Sequence, residues 1–163
     1  MYDNGAGTKP ATGQVVGNIR VLPQVYSPGL GNRRDVQVYL PPSYQSSGRH
    51  YPVIYMQDGQ NLFDPTTSFS GEWGVDDTLE GLGPQGVEVI IVAVPHMGEQ
   101  RIDEYSPFRD PMKGGGRGDA YVEFLARTLK PEIDRLFRTR RESSHTGIMG
   151  SSMGGLISLY AFF

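Results

Sequence analysis

The decapeptide GIMGSSMGGL, Gly147 to Leu156, lies between SHT on one side and the apolar run ISLYAFF on the other. Within it, Gly150-Ser151-Ser152-Met153-Gly154 fits the pattern G-x-S-x-G with Ser152 at its centre. The spacing has a mechanical cause. A sharp turn from strand to helix holds the central Ser in a strained conformation, and side chains two residues to either side collide with backbone unless both positions are Gly. Such a turn aims the Ser152 hydroxyl outward. It also puts the Met153 N–H at the start of a helix, where a developing oxyanion meets both a hydrogen bond and the helix dipole. A short apolar run before the motif and an apolar helix after it are the context this geometry requires.

Working outward, the remaining segments supply a sheet for that turn. NIRVLPQVYS alternates and is interrupted by Pro23, which suits an edge strand. RRDVQVYLPPSY puts Val36, Val38 and Leu40 on one face, Asp35, Gln37 and Tyr39 on the other, and ends at a Pro pair. These two segments are expected to pair antiparallel. YPVIYMQDG and VEVIIVAVPH are short apolar runs that read as buried strands, the first delivered into an Asp-Gly turn. GVDDTLEGLG predicts a short helix with acidic residues in its first turn. From Asp119, read as an N-cap, Val122, Leu125, Leu129, Ile133 and Leu136 mark one helical face, with a kink or break expected at Pro131. Helices alternating with buried strands predict an α/β fold with a mainly parallel sheet. Residues 1–163 read as one domain, with 1–17 a polar, Gly-rich arm.

Composition narrows the partners. The 163 residues carry a formal charge of −3, which offers no electrostatic case for nucleic acid or an anionic membrane. No Cys is present, which excludes a disulfide scaffold, a thiolate nucleophile and Cys-ligated zinc. No acidic cluster has the spacing of a calcium loop and no His pair sits on a helix face, so neither a metal nor a cofactor is expected. The apolar runs are too short to span a bilayer. The compartment stays open, with the cytoplasm favoured over secretion.

RRDVQVYLPPSY, YPVIYMQDGQNLFD, RIDEYSPF and HTGIMGSSMGGLISLY, in this order, resemble the putative-esterase branch of the α/β-hydrolases, which includes enterochelin esterases, S-formylglutathione hydrolases, feruloyl and acetylxylan esterases and the antigen-85 acyltransferases. The resemblance implies the α/β-hydrolase fold and a serine carboxylic-ester hydrolase acting through an acyl-enzyme on Ser152. It implies that Met153 N–H is one oxyanion donor and that the loop after YPVIYMQDG supplies the second, Gln60 by position, with Gly59 the alternative. An acyltransferase would use the same residues.

In the family the triad runs Ser, then Asp or Glu, then His. Here 11 residues follow Ser152, so the acid and the His of the family are not in this sequence. A Ser without a base is a poor nucleophile. The resemblance therefore covers the N-terminal part of a family domain, and a catalytically silent scaffold serving association or binding is the alternative function. An uncovered elbow strand is a template for pairing, so the expected partners are a small-molecule ester and, at that edge, a completing segment, a completing chain or a second copy.

Of the three histidines, His50 and His145 precede strands and are expected at the edge opposite Ser152, whereas His96 ends a strand and shares its edge. Trp73 and His96 are candidates to line a substrate pocket. Arg101, Asp103 and Glu104 could reach its mouth, although surface salt bridges are the simpler expectation.

Overall fold

The computed structural model describes residues 14–69 and 71–163. The arm expected over 1–17 falls largely outside them. At its inner end, Val16 N–H donates to Asp76 Oδ2 at 2.9 Å, which ties the start of the described chain to the first helix.

Strands β1 (Asn18–Ser27) and β2 (Asn32–Leu40) pair antiparallel around a turn in which Gly31 has φ 71°. The register slips between Leu22 and Val25, where Pro23 lacks a donor and Gln24 takes φ 54°. Asp35 Oδ1 accepts both the Gln24 backbone N–H (2.8 Å) and its side-chain amide (2.9 Å) and so holds the bulge in place.

The chain then runs through β3 (Val53–Gln57), α1 (Val75–Leu82), β4 (Ile90–Val94) and α2 (Arg101–Tyr105). A short hairpin of β5 (Arg109–Asp110) and β6 (Gly114–Gly115) leads to α3 (Gly118–Glu123), α4 (Lys130–Leu136), β7 (Thr146–Met149) and α5 (Met153–Phe162). The five-stranded sheet has the order β1-β2-β4-β3-β7. It is mixed: β1, β2 and β4 meet antiparallel, whereas β4, β3 and β7 are parallel. The fold is α/β, and the parallel half carries the turns that follow β3 and β7.

Strand alternation splits the core into two layers. Val36, Val38, Leu40, Tyr55, Val92 and Val94 face Tyr121, Phe124, Leu129 and Ile133 from α3–α4 and Ile157 from α5. Tyr39, Met56, Ile91 and Ala93 face Leu62 and Phe63 from the loop after β3, and Leu79 from α1, on the other side. Helices cover both faces, as a sheet buried on both sides needs.

Two expectations about the α3–α4 segment are corrected. Of the kink or break expected at Pro131, the break is absent: Phe124–Leu129 widens into π-helical turns and α4 continues through the Pro. Pro131 has no N–H for the carbonyl four residues earlier, and a widened turn absorbs that mismatch without a break. Asp119 is not the N-cap. Arg117 holds that position, and Asp119 Oδ1 accepts the Tyr160 hydroxyl at 2.6 Å, joining α3 to α5.

Among the described residues β7 pairs on one side only, with β3. Beside it Met149, Leu156, Leu159 and Phe162 are exposed, and a cavity of about 520 Å3 opens between Ile148, Leu125, Val122 and Phe162.

Candidate active site

The elbow is built as its glycine spacing demands. Ser152 sits at φ 54°, ψ −123°, a conformation that L-residues rarely adopt and that persists only when the surroundings enforce it. A Cβ on Gly150 would lie 2.5 Å from the Gly154 carbonyl carbon and oxygen. One on Gly154 would lie 3.1 Å from Gln57 Cβ and 3.2 Å from Asp58 Oδ2. The two glycines thus let strand β7 double back into α5 against the end of β3. Gly154 N–H donates to Ser151 O (2.8 Å) and Leu156 N–H to Ser152 O (3.1 Å), while Met153 N–H, first in the helix, has no acceptor among the described residues.

A second turn faces the elbow from the end of β3. Asp58 is left-handed at φ 54° and opens a 3-10 turn over Gly59–Asn61. Asn61 N–H donates to Asp58 O (2.9 Å) and Leu62 N–H to Gly59 O (3.3 Å), which leaves the Gly59 and Gln60 amides without acceptors among the described residues. Only Gly fits at 59, since a Cβ there would stand 2.5 Å from the Ala93 carbonyl carbon. The Gln60 side chain turns away from Ser152: its Oε1 accepts His96 N–H at 3.2 Å, and it lines a separate recess with Thr67 and Pro95.

Between the two turns lies a cavity of about 570 Å3 lined by Ser151, Ser152, Asp58, Asn61, Phe69, Trp73, His96, Gly98 and Arg101. Trp73 is fixed by its backbone N–H, which donates to Asn61 O at 2.8 Å, and it packs partly on the α1-side core. Phe69 is 88% exposed and stands at the rim. Trp73, His96 and Ser152 thus share one cavity, whereas His145 stands just before β7 and pairs with Glu142 at 3.7 Å.

His96 is placed on the Ser152 edge but is configured against acting as its base. Gly98 N–H donates to His96 Nδ1 at 3.0 Å, so in the neutral ring Nδ1 is the acceptor and Nε2 carries the proton. Burial, reinforced by Arg101 and opposed by Asp58 and Glu104, lowers the ring's affinity for a second proton.

The α2 charges depart from the expected surface pairs. Arg101 enters the cavity and grips Asp58 with two bonds, Nε to Oδ1 at 2.7 Å and Nη2 to Oδ2 at 2.9 Å. Glu104 is buried against Arg34, and Asp103 Oδ1 accepts Gly115 N–H at 2.7 Å, closing the β5–β6 hairpin. The Asp58–Arg101 pair was not foreseen. Each residue follows the C-terminal end of a buried strand, which was visible, but that those strands are neighbours was not. Among the described residues no group of His, Asp or Glu could hold a metal ion, and no helix is long and apolar enough to cross a membrane.

The sequence matches the family described as Putative esterase over residues 27–163. It is 32% identical over 137 residues to YbbA of Bacillus subtilis strain 168, covering 80% of this chain and 51% of that protein. It is 28% identical over 130 residues to the esterase Rv1288 of Mycobacterium tuberculosis, covering 80% of this chain and 26% of that one. Among solved structures it resembles an IroE-like serine hydrolase from Shewanella oneidensis, with TM-score 0.70 and 24% identity over 88% of this chain and 46% of the other. The chain therefore spans about half the length of the Bacillus and Shewanella proteins. With the family match running from the end of β1 to the last residue, and through both turns that face the cavity, the chain belongs to the putative-esterase family.

Proposed function

We propose that this chain carries the nucleophile and oxyanion half of a serine carboxylic-ester hydrolase. The observation that carries the reading is the strained Ser152 at the head of α5, opening onto a cavity. Ser152 Oγ is the attacking atom and forms the acyl-enzyme. Met153 N–H, with the helix dipole behind it, and Gln60 N–H, from the turn after β3, receive the oxyanion. Trp73 and His96 form part of the wall against which the ester sits. In the neutral tautomer set by Gly98, His96 Nε2 donates to substrate and does not take the Ser152 proton.

The acid and base are supplied by a segment or chain seated along β7. Two features support that site: among the described residues one side of the elbow strand is unpaired, and Met149 at its end and Leu156, Leu159 and Phe162 of α5 are exposed. A second copy is the alternative occupant of this edge. The other functional reading, a silent scaffold, draws on the lack of a His oriented to accept the Ser152 proton among the described residues.

An uncharged fluorophosphonate ester followed by peptide mapping tests the proposal. Labelling at Ser152 that Ser152→Ala abolishes is the expected outcome. A folded chain that stays unlabelled, alone and after mixing with the C-terminal half of a family relative, would leave only the scaffold reading.

A further inference from the structure

The wall of the cavity that holds Ser152 includes an acidic side chain, Asp58. Asp58 Oδ2 lies 3.2 Å from the point a Cβ on Gly154 would occupy, so its carboxylate abuts the first turn of α5, the turn that Met153 opens. A bare carboxylate there would oppose negative charge developing on a substrate oxygen held by the Met153 amide. Arg101 answers it with a bidentate grip whose geometry fixes the carboxylate plane as well as its charge.

The rest of Asp58 is clamped too. Its N–H donates to Tyr105 Oη at 3.1 Å, and its carbonyl accepts Asn61 N–H at 2.9 Å. With both backbone groups and both carboxylate oxygens engaged, the left-handed conformation at 58 is held from every side. The free amides of Gly59 and Gln60 take their direction from it.

We propose that Asp58 and Arg101 form a positioning pair for the oxyanion turn: Arg101 cancels the Asp58 charge at the head of α5, and the bidentate grip aims the amides that follow. This rests on the esterase reading of Ser152. Neither residue touches the reacting atoms. A Lys at 101 can cancel the charge but cannot make both bonds, and an Asn at 58 removes the charge while keeping the shape.

The test compares the second-order rate of Ser152 phosphonylation by the uncharged fluorophosphonate in the parent chain, in Arg101→Ala, in Arg101→Lys and in Arg101→Ala combined with Asp58→Asn, each alone and mixed with the same C-terminal half of a family relative. Arg101→Ala is expected to slow labelling at least about 30-fold, short of the roughly 100- to 1,000-fold cost of deleting an oxyanion donor outright. Arg101→Lys falls between it and the parent. Adding Asp58→Asn to Arg101→Ala recovers about tenfold, because the charge left uncancelled is gone. The rate is read per folded molecule, so that a change in stability alone does not move it. Arg101→Ala labelling at the parent rate, or a double variant no faster than Arg101→Ala, would overturn the proposal.

The backbone amide resonances of Gly59, Gln60 and Met153 give a readout that needs no labelling. They are expected to move in Arg101→Ala and to return toward the parent positions in the double variant. If the parent chain is labelled neither alone nor with the C-terminal half of a family relative, the esterase reading fails and these amides alone decide the pair: movement and return uphold it, and unmoved amides overturn it.

Discussion

Helix α2 is five residues long, and two of its side chains, Arg101 and Glu104, each form a bidentate arginine–carboxylate pair with a distant part of the chain. The settings differ. Glu104 meets Arg34 with side chains 1% and 0% exposed, the guanidinium 4.9 Å from the Phe124 ring centroid and 5.5 Å from that of Tyr121. Asn32 adds a further bond to Glu104 Oε1 at 2.7 Å. Arg101 meets Asp58 at a cavity wall, with 26% of its side chain open to solvent. The same chemical pair is thus used once to pin a helix into the core and once to shape a pocket. What separates the two uses is access to water, since a buried charge deprived of its partner has no solvent to turn to.

That contrast sets the order of expected effects. Glu104→Ala leaves Arg34 charged and buried, and should cost about 3–5 kcal/mol of stability, measured by urea unfolding. A change below about 1 kcal/mol would mean that water reaches Arg34 and that the two sites are alike after all. Arg101→Ala should cost less, about 1–2 kcal/mol, because the freed Asp58 carboxylate borders a cavity that water can enter. Its main effect should be on Ser152 reactivity, so a loss equal to that of Glu104→Ala would erase the distinction between core pair and pocket pair.

The smallest effect belongs to His96. Its native proton affinity is lowered from the ordinary 6.5, first by burial, so below that pH the unfolded chain binds more protons than the folded one. The contribution is therefore complete above 6.5 and is lost as pH falls from 6.5 through the lowered native value. Unfolding free energies measured between about pH 7.5 and 5 should decline less in His96→Gln than in the parent. Identical slopes would place the ring in water in spite of the cavity around it.

The parts that could be read from sequence are those whose cause is local. The elbow glycines, the alternation of β2 and the buried runs of β3 and β4 each follow from period or steric need within a few residues. Pro23 marked β1 as an edge for the same reason, the lost donor. Long-range pairings were not legible. Asp58 and Arg101 are 43 residues apart and meet because β3 and β4 lie side by side, a fact of strand order and not of pattern. Asp119 has the composition of a cap but spends its carboxylate on Tyr160, 41 residues away. Pro131 carried a correct local cost, but the remedy, widened turns over Phe124–Leu129, depends on the packing of Phe124, Leu125 and Leu129 against the sheet.

The backbone at Ser152 has a consequence for anyone who would improve this chain. At φ 54°, ψ −123° a residue without a Cβ is more comfortable than Ser, by roughly 1–3 kcal/mol on the usual scale of such strain. A selection that ranks variants by melting temperature alone would therefore drift toward Gly at 152, and would report as progress the loss of the one hydroxyl around which the rest of the elbow is arranged.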